Sequence, residues 1–597
     1  MVLRCAADAQ IRLPMEAPEW VYNSMATKKE QKGTVVWSSQ LGTMLAVAGS
    51  AVGFGNFLRF PGLAAQYGGG AFMIAYFCAF LLLGVPLCWV EWAIGRRGGV
   101  LGGHSCASAF MLISHSAVWK YLGIAGVLAP LGIGMYYMYL EGWVLGYCYN
   151  TAVGALNLER SDEFAAFFAQ FTGASGDGAA YSGGSSLPYF FFGAVIVNLY
   201  VLYRGVTKGI EWFCKWSMPV LLITAFIILA RVLTLGTPDP NFPNRSVDQG
   251  LGYMWNPSKT ILVVEGKTVD MVPAGATEAE RAELIERVQA DRPGVEVREE
   301  HISLVQGLMN PELWIAAAGQ IFFSLSIGFG TVLTYASYVA KKQDIALTSL
   351  TANAANEAVE VGVAGMMIVP AAVSLLGVAA AAGASTFGLG FTVLPEVFAA
   401  MPGGQIFGVL FFGLLFLAAI ASSISILQPT MAFLEEFWPL RRTQSVVIVG
   451  ALMVVGAFTV SWFTGGDMMA LSTLDFWMGT MCLYLISALY LILFRGVWGT
   501  RNGLRELGRG ARIPLPFGLG FVINWVTPAI LLIIFGSWLY KNMFVTTSEH
   551  LLNLRDGEPG AVIPMAWMLI IYIFMALVVH TSRKFHKKHP RKGNDHT

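Results

Sequence analysis

Two hydrophobic stretches of the chain carry glycines and polar residues that could together bind a small cation and a carboxylate. The first has three glycines within seven residues, Gly49, Gly53 and Gly55, and continues with Asn56 and Arg59. Glycine has a large entropic cost in a helix, so this spacing favours an unwound backbone. Unwound carbonyls at membrane depth can coordinate a desolvated cation, and half-helix amides can hold an anion. The alternative is a glycine-kinked packing helix, but intramembrane polar groups are costly and mark function.

The second stretch repeats this pattern about 270 residues further along. It has Gln320, Ser324 and Ser326 within an apolar run, followed by Gly328 and Gly330. Two broken segments in corresponding positions of two halves indicate an inverted-repeat transporter with its site near the bilayer midplane. The pair is stronger evidence than either break alone.

The composition indicates a polytopic membrane protein. The 597 residues are 55% hydrophobic and 13% charged, with a mean hydropathy of +0.60, which is typical of chains that cross a lipid bilayer repeatedly. The apolar runs lie near 41–66, 70–94, 121–151, 187–204, 211–234, 312–340, 345–381, 404–437, 445–464, 471–494, 517–540 and 561–581. Lys and Arg concentrate in alternate loops and in the basic tail, so the positive-inside rule predicts that both termini are cytoplasmic.

The residues from Gly49 to Pro61, GSAVGFGNFLRFP, closely resemble the first helix of the neurotransmitter:sodium symporters, in the branch of the bacterial leucine transporter. The resemblance continues over about 37–540. It implies an all-α membrane protein with twelve transmembrane helices, a five-plus-five inverted repeat and broken first and sixth helices. It also implies a multi-pass protein of the cell membrane, the inner membrane in bacteria. An enzyme is not expected, because no nucleophile–base or metal constellation occurs outside the transport centre.

The resemblance and the apolar runs together predict the organisation of the chain. The predicted parts are a cytoplasmic tail (1–36), the first repeat (37–234), an extracellular loop with a small inserted αβ appendage (235–310), the second repeat (311–495), helices eleven and twelve (496–582) and a basic cytoplasmic tail (583–597). In the insertion, a capping box of Thr277 and Glu280 predicts a helix to about Gln289. Thr260–Val264 and Val295–Arg298 are expected to form short strands.

By the family pattern, sodium ions and an amino acid bind at the two breaks. The first sodium would be held by the Ala51 carbonyl, Asn56, Ser324 and Asn356, and the substrate carboxylate would complete the set. Gly53 stands where monoamine carriers have an aspartate, which favours a substrate with its own carboxylate. The resemblance assigns substrate contacts to Ser50, Ala51, Phe54, Gly55, Ile133, Tyr137, Phe323, Ser324, Ser326, Phe329, Ser422 and Ile426. Because this set is uncharged, we expect a neutral, small to medium aliphatic amino acid.

The same pattern assigns the gates and the remaining ions. Arg59 and Asp475 match an outer ion pair. Tyr338 and Glu436 match an inner gate, although the arginine that the family places in the N-terminal segment is Thr34 here. Glu360 stands at the serine of chloride-dependent relatives, near Tyr76, Gln320 and Ser324, and therefore predicts independence of chloride; the alternative is a protonated structural acid. The second sodium site maps to the carbonyls of Gly49, Val52 and Ala418 and to Ser422, but Ala421 lacks the oxygen that relatives have.

The leading hypothesis is sodium-coupled symport by alternating access, in a lipid bilayer and without nucleic-acid partners. A non-transporting amino-acid sensor of the same fold is the main alternative, and an ion channel is a third. The sequence does not indicate an oligomeric state.

Overall fold

The computed structural model describes residues 37–240, 242, 244–273, 275–291, 295–438, 440–545 and 548–582. The two predicted tails, and Thr34 with them, lie outside the described residues. The rest is 78% helical, in agreement with the predicted all-α class.

Most helices of the first half coincide with the predicted apolar runs, whereas α4 and α6 lie between them and were not predicted. They are α1 (Gln40–Ala51), α2 (Gly55–Gln66), α3 (Gly70–Val100), α4 (Cys106–Ser114), α5 (Ala117–Ala152), α6 (Ser161–Thr172), α7 (Leu187–Gly205) and α8 (Trp212–Leu233). A π-helical turn at Val206–Glu211 joins the last two, and Ala179–Tyr181 form a single 3₁₀ turn.

An αβ segment separates the two halves. It consists of α9 (Val247–Trp255), β1 (Lys259–Val264), β2 (Lys267–Met271), α10 (Glu278–Asp291), β3 (Arg298–Ile302) and α11 (Leu304–Leu308). The strands form one antiparallel sheet in the order β2-β1-β3. The predicted capping box is present, since Thr277 and Glu280 exchange hydrogen bonds at the start of α10. The bounds predicted for the strand at 295–298 are wrong, because the strand that pairs with β1 begins at Arg298 and continues to Ile302. The strand β2 was not predicted.

The helices of the second half complete the fold. They are α12 (Pro311–Ser324), α13 (Thr331–Ser337), α14 (Ile345–Leu376), α15 (Val378–Gly383), α16 (Thr386–Ala400), α17 (Gly404–Phe437), α18 (Arg442–Trp462), α19 (Met468–Leu507), α20 (Leu519–Phe544), α21 (Glu549–Arg555) and α22 (Pro559–Thr581). Within the described ranges, nine helical stretches are long and apolar enough to cross a membrane, with α7 and α8 counted together as Leu187–Leu233, and the bent α1–α2 pair makes ten. A total of twelve spans stays a prediction.

Both predicted helix breaks are present. α1 and α2 meet at a 47° bend, where Val52 leaves the helix with an extended ψ of 106°. The second break lies between α12 and α13, where Ser326, Gly328 and Gly330 all have positive φ angles of 53°, 83° and 66°. Two of these positions are glycine because a positive φ is strained for a residue with a Cβ. The breaks free backbone carbonyls and amides in the protein interior, where unwound backbone is tolerated.

Candidate substrate and sodium site

The residues predicted for the first sodium site converge between the two breaks. Asn56 follows the break on α2, Ser324 ends α12, and Asn356 lies on α14. The Asn56 amide donates to the Asn356 side-chain oxygen over 2.9 Å, and the Asn356 amide donates to the Ser324 hydroxyl over 2.7 Å. All three side chains are buried, with at most 1% of their surface exposed. A cluster of neutral side-chain oxygens of this kind suits a desolvated monovalent cation.

Glu360 brings a carboxylate into direct contact with this cluster. One oxygen accepts from the Gln320 amide at 2.7 Å, and the other accepts from the Asn56 amide at 3.0 Å and from the Ser324 hydroxyl. Glu360 is fully buried, and among the described residues it forms no ion pair with a basic group. Its partners are therefore dipoles, and a bound cation would supply the opposite charge.

A second acid, Glu357, contacts Tyr76, the tyrosine that the family pattern places beside Glu360. The Tyr76 hydroxyl donates to Glu357 at 2.7 Å. The spacing of three residues places Glu357 and Glu360 on neighbouring turns of one helix face. The sequence contained this signal, but no role was assigned to Glu357.

The predicted substrate-binding residues surround the breaks. Phe54 and Tyr137 pack with ring centroids 4.6 Å apart, and the Phe54 amide donates to the Tyr137 hydroxyl over 3.3 Å. Phe323 meets Phe329 edge to face at 5.9 Å. The other members, Ser50, Ile133, Ser326, Ser422 and Ile426, are at most 5% exposed. The residues assigned to the site are thus mostly buried, with Ala51 and Phe323 partly exposed, and none of them is charged.

Gly53 lies directly against two side-chain hydroxyls. A Cβ built there would come within 2.5 Å of the Ser422 hydroxyl and 2.6 Å of the Tyr137 hydroxyl. Both distances are far below normal contact, so a side chain at this position would displace the two polar groups. The Ser50 hydroxyl nearby is buried and has no hydrogen-bond partner in the part of the chain that the structure describes. Such a group normally has a partner, which a ligand can supply.

The second predicted sodium site lacks one of the side-chain oxygens that the family pattern provides. The Ser422 hydroxyl meets the Val52 carbonyl at 3.2 Å, so α17 and the first break adjoin as predicted. Ala421 is fully buried and supplies no side-chain oxygen. Ser425 does not replace it, because its hydroxyl donates to the Ala421 carbonyl over 2.8 Å and accepts from Tyr335 over 2.7 Å.

The outer gate residues do not form an ion pair with each other in this structure. Asp475 accepts from the Tyr136 hydroxyl at 2.8 Å, and the Arg59 guanidinium lies 4.9 Å from the centroid of the Phe323 ring. A guanidinium at that distance from an aromatic face makes a cation–π contact. An Arg59–Asp475 pair in another conformation stays a prediction, and Tyr136 is a partner that the sequence argument missed.

The inner gate residues are joined through the loop before α4. Glu436 accepts from the Ser108 hydroxyl at 2.7 Å and from the Ser105 backbone amide at 3.1 Å, and the His104 amide also donates to it. The imidazole of His104 stacks on Tyr338, with ring centroids 4.6 Å apart. The N-terminus of a helix favours a carboxylate, so the start of α4 stabilises the Glu436 carboxylate.

Two discontinuous helices that enclose a buried polar site define the chain as a multi-pass membrane transporter rather than an enzyme. The protein belongs to the sodium:neurotransmitter symporter family, whose model matches residues 35–165 and 301–587. Membership of this family implies coupling to sodium.

The relatives support this assignment. A sodium-dependent transporter of Haemophilus influenzae is 28% identical over 86% of this chain and 100% of its own length. A second one, from Methanocaldococcus jannaschii, is 26% identical over 83% of this chain and 88% of its own. The solved structure of MhsT in complex with L-phenylalanine matches 85% of this chain and 100% of its own, with 26% identity and a TM-score of 0.66.

Proposed function

We propose that the protein is a sodium-coupled symporter that carries a neutral, small to medium aliphatic amino acid by alternating access and does not need chloride. The observation that carries this proposal is the position of Gly53, where a Cβ would collide with Tyr137 and Ser422. An acidic side chain there, which could bind an amine, would displace both hydroxyls, and this chain has none at that position. We therefore expect the carboxylate to belong to the substrate, and the Ser50 hydroxyl, which has no hydrogen-bond partner among the described residues, to donate to it.

The character of the pocket limits the substrate further. Phe54, Ile133, Phe329 and Ile426 are apolar and nearly fully buried. A substrate with a second charge would lose its hydration without gaining a partner, which costs several kcal/mol or more. The likeness to MhsT, which was solved with L-phenylalanine, supports an amino-acid substrate, and the closed wall of Phe54 and Ile133 favours one of smaller size.

Glu360 supports independence of chloride. A fixed carboxylate already lies against Asn56, Ser324 and Gln320. A chloride ion at the same place would meet like charge, which disfavours its binding. The negative charge that balances the sodium ion would then belong to the protein.

Uptake and binding in the purified protein test the proposal. In proteoliposomes, an inward sodium gradient should drive uptake of radiolabelled alanine, valine, leucine or methionine. Lysine, glutamate and biogenic amines should not compete. Binding of the amino acid without flux would instead support the sensor alternative. Tight binding of an amine that lacks a carboxylate would contradict the role given to Gly53.

A further inference from the structure

The αβ appendage (residues 259–302) lies almost wholly in the part of the chain that the family model does not match, and it is docked on the transporter. Leu262 of β1 packs with Val272 and Leu284 in a small core of its own. Ile261 and Val263, on the opposite face of the same strand, belong to the main hydrophobic core. One face of the sheet thus packs against α10, and the other face packs against the transporter.

Several contacts fix this docked position. The Gln249 side chain on α9 donates to the Met271 carbonyl at the end of β2 over 2.7 Å. β2 also packs against α15. A Cβ on the next residue, Gly250, would lie 2.5 Å from Pro370, so α9 rests directly on the C-terminal part of α14. The appendage therefore adjoins the same end of α14 and α15.

A buried lysine lies between the appendage and α9. Lys259, the first residue of β1, is only 7% exposed. Its ammonium donates to the Tyr253 carbonyl and lies 4.2 Å from the centroid of the Tyr253 ring. No described carboxylate forms an ion pair with it. A buried ammonium held only by a carbonyl and a ring is poorly compensated for its lost hydration.

Tyr253 connects this lysine to the first broken helix. Its hydroxyl donates to the Ala65 carbonyl, in the last turn of α2, over 2.6 Å. The turn after α2 packs on the same segment, because a Cβ on Gly69 would lie 2.0 Å from the Tyr253 carbonyl. The helix that carries Asn56 and Arg59 therefore cannot move away from residues 253–256 without breaking these contacts.

We propose that the appendage is a clamp on α2, and that Lys259 makes the docking of this clamp depend on the pH of the solution that bathes it. The effect on uptake rests on the proposed transport function, whereas the docking itself does not. Docking that holds α2 in place would slow the motions that open and close the site.

The charge of Lys259 sets the direction of the effect. Burial lowers its pKa from 10.5 to about 7, because the charged form loses its hydration. Once the sheet face is released to solvent, the pKa returns towards about 10.4. Between about pH 7 and pH 10, the docked form therefore binds fewer protons than the released form. Docking strengthens as the pH rises, by at most about tenfold per pH unit, and changes no further below about pH 7.

Few other ionisable groups face Lys259. In the antiparallel register Lys259 pairs with Ile302 and Ile261 pairs with Glu300, so Glu300 shares its face of the sheet, as does Arg298 opposite Val263. Both are exposed. β2 presents Met271 on this face, and α9 presents Tyr253. The Lys259 ammonium is thus the buried group whose protonation opposes docking.

Distance measurements between two spin labels test the docking directly. One label is attached at Glu283→Cys on α10 and the other at Glu159→Cys before α6, in the full chain in nanodiscs, with the accessible native cysteines replaced. The wild type should show a narrow, docked distance whose fraction rises from pH 7 to pH 9. Lys259→Met, which is of similar length and uncharged, should show the docked distance at every pH. Lys267→Met, an exposed lysine of β2, is the matched control and should behave as the wild type does.

A docked fraction that does not change with pH in the wild type would overturn the proposal, as would an unchanged pH dependence in Lys259→Met. The second measurement is sodium-driven uptake at the same pH values on the appendage side, expressed as the ratio of Lys259→Met to Lys267→Met. A ratio that falls below one towards pH 7 supports a clamp, since only the methionine stays docked there. A ratio of one at every pH would contradict it. Absence of uptake in every variant would contradict the proposed function. The spin-label distances would then still test whether docking depends on pH.

Discussion

The side-chain amide of Asn56 donates to the carboxylate of Glu360 over 3.0 Å. One residue follows the break in the first helix, and the other lies on α14, about 300 positions later. A fixed negative charge thus lies beside the oxygens assigned to the first sodium ion. The ion, the substrate carboxylate and Glu360 would interact electrostatically, so a change in the charge of one should alter the binding or stability of the others.

The first prediction concerns chloride. Uptake by the wild type should not change when external chloride is replaced by gluconate, because Glu360 already supplies the negative charge. Glu360→Ser should lower uptake without chloride, and added chloride should restore it, since Gln320 and Ser324 still provide donors. The control is Glu360→Gln, which removes the charge but fills the space and should not respond to chloride. A chloride requirement in the wild type would show that the carboxylate does not act in this way.

The second prediction concerns the coupling of sodium and substrate. Asn356→Leu removes one oxygen from the cluster and leaves the Ser324 and Asn56 side chains short of a partner. Loss of a buried hydrogen-bonding partner costs about 1–3 kcal/mol, so the affinity for sodium should fall by roughly 5- to 150-fold. The affinity for the amino acid measured at limiting sodium should fall with it, because coupling between two sites is reciprocal.

Asn353→Leu is the matched control for this measurement. It lies about one turn earlier on the same helix and is also buried, but it makes no described hydrogen bond to the cluster. Its binding curves should stay near those of the wild type. If Asn356→Leu weakened the amino acid but left the sodium affinity unchanged, Asn356 would not be a sodium ligand.

The third prediction concerns the inner gate. Glu436 accepts hydrogen bonds from Ser105 and Ser108 at the start of α4, and hydrogen bonds to a charged group contribute about 1.5–3 kcal/mol each. Glu436→Gln should therefore loosen residues 104–110, with faster amide hydrogen exchange there. Glu435→Gln is the control, because its carboxylate pairs with Arg442 at 3.3 Å and does not hold α4. If residues 104–110 exchanged their amide hydrogens equally fast in both variants, contacts other than those of Glu436 would hold the inner gate closed.

The sequence predicted what local chemistry controls. The glycine spacing at 49–55 and at 328–330 predicted both breaks, since glycine has a large entropic cost in a helix, and at 328–330 the glycines also adopt a positive φ. The long-range partners were harder to predict. Tyr136 with Asp475, Tyr76 with Glu357, and Glu436 with the α4 loop depend on rotamers and helix rotation, which periodicity does not determine. β2 was missed because Lys267 and Asp270 interrupt its apolar pattern, and only pairing with β1 explains it.

The last prediction concerns the second sodium site. Its set of three carbonyls and the Ser422 hydroxyl lacks the oxygen that relatives have at Ala421, and Ser425 is already engaged with Tyr335 and the Ala421 carbonyl. One missing ligand should weaken the ion by about 1–3 kcal/mol, which is roughly 5- to 150-fold. The wild type should therefore show a weak dependence of substrate binding on a second ion. Ala421→Thr should make the sodium dependence steeper and shift it to lower concentrations.

Ser425→Ala tests whether Ser425 supplies the oxygen that is missing at position 421. Because its hydroxyl does not point into the site, this variant should keep the sodium dependence of the wild type, although it loses a hydrogen bond to Tyr335. A shift to higher sodium in Ser425→Ala would show that Ser425 turns to bind the ion. Tight binding of two sodium ions in the wild type, unchanged by Ala421→Thr, would show that four oxygens suffice at this site.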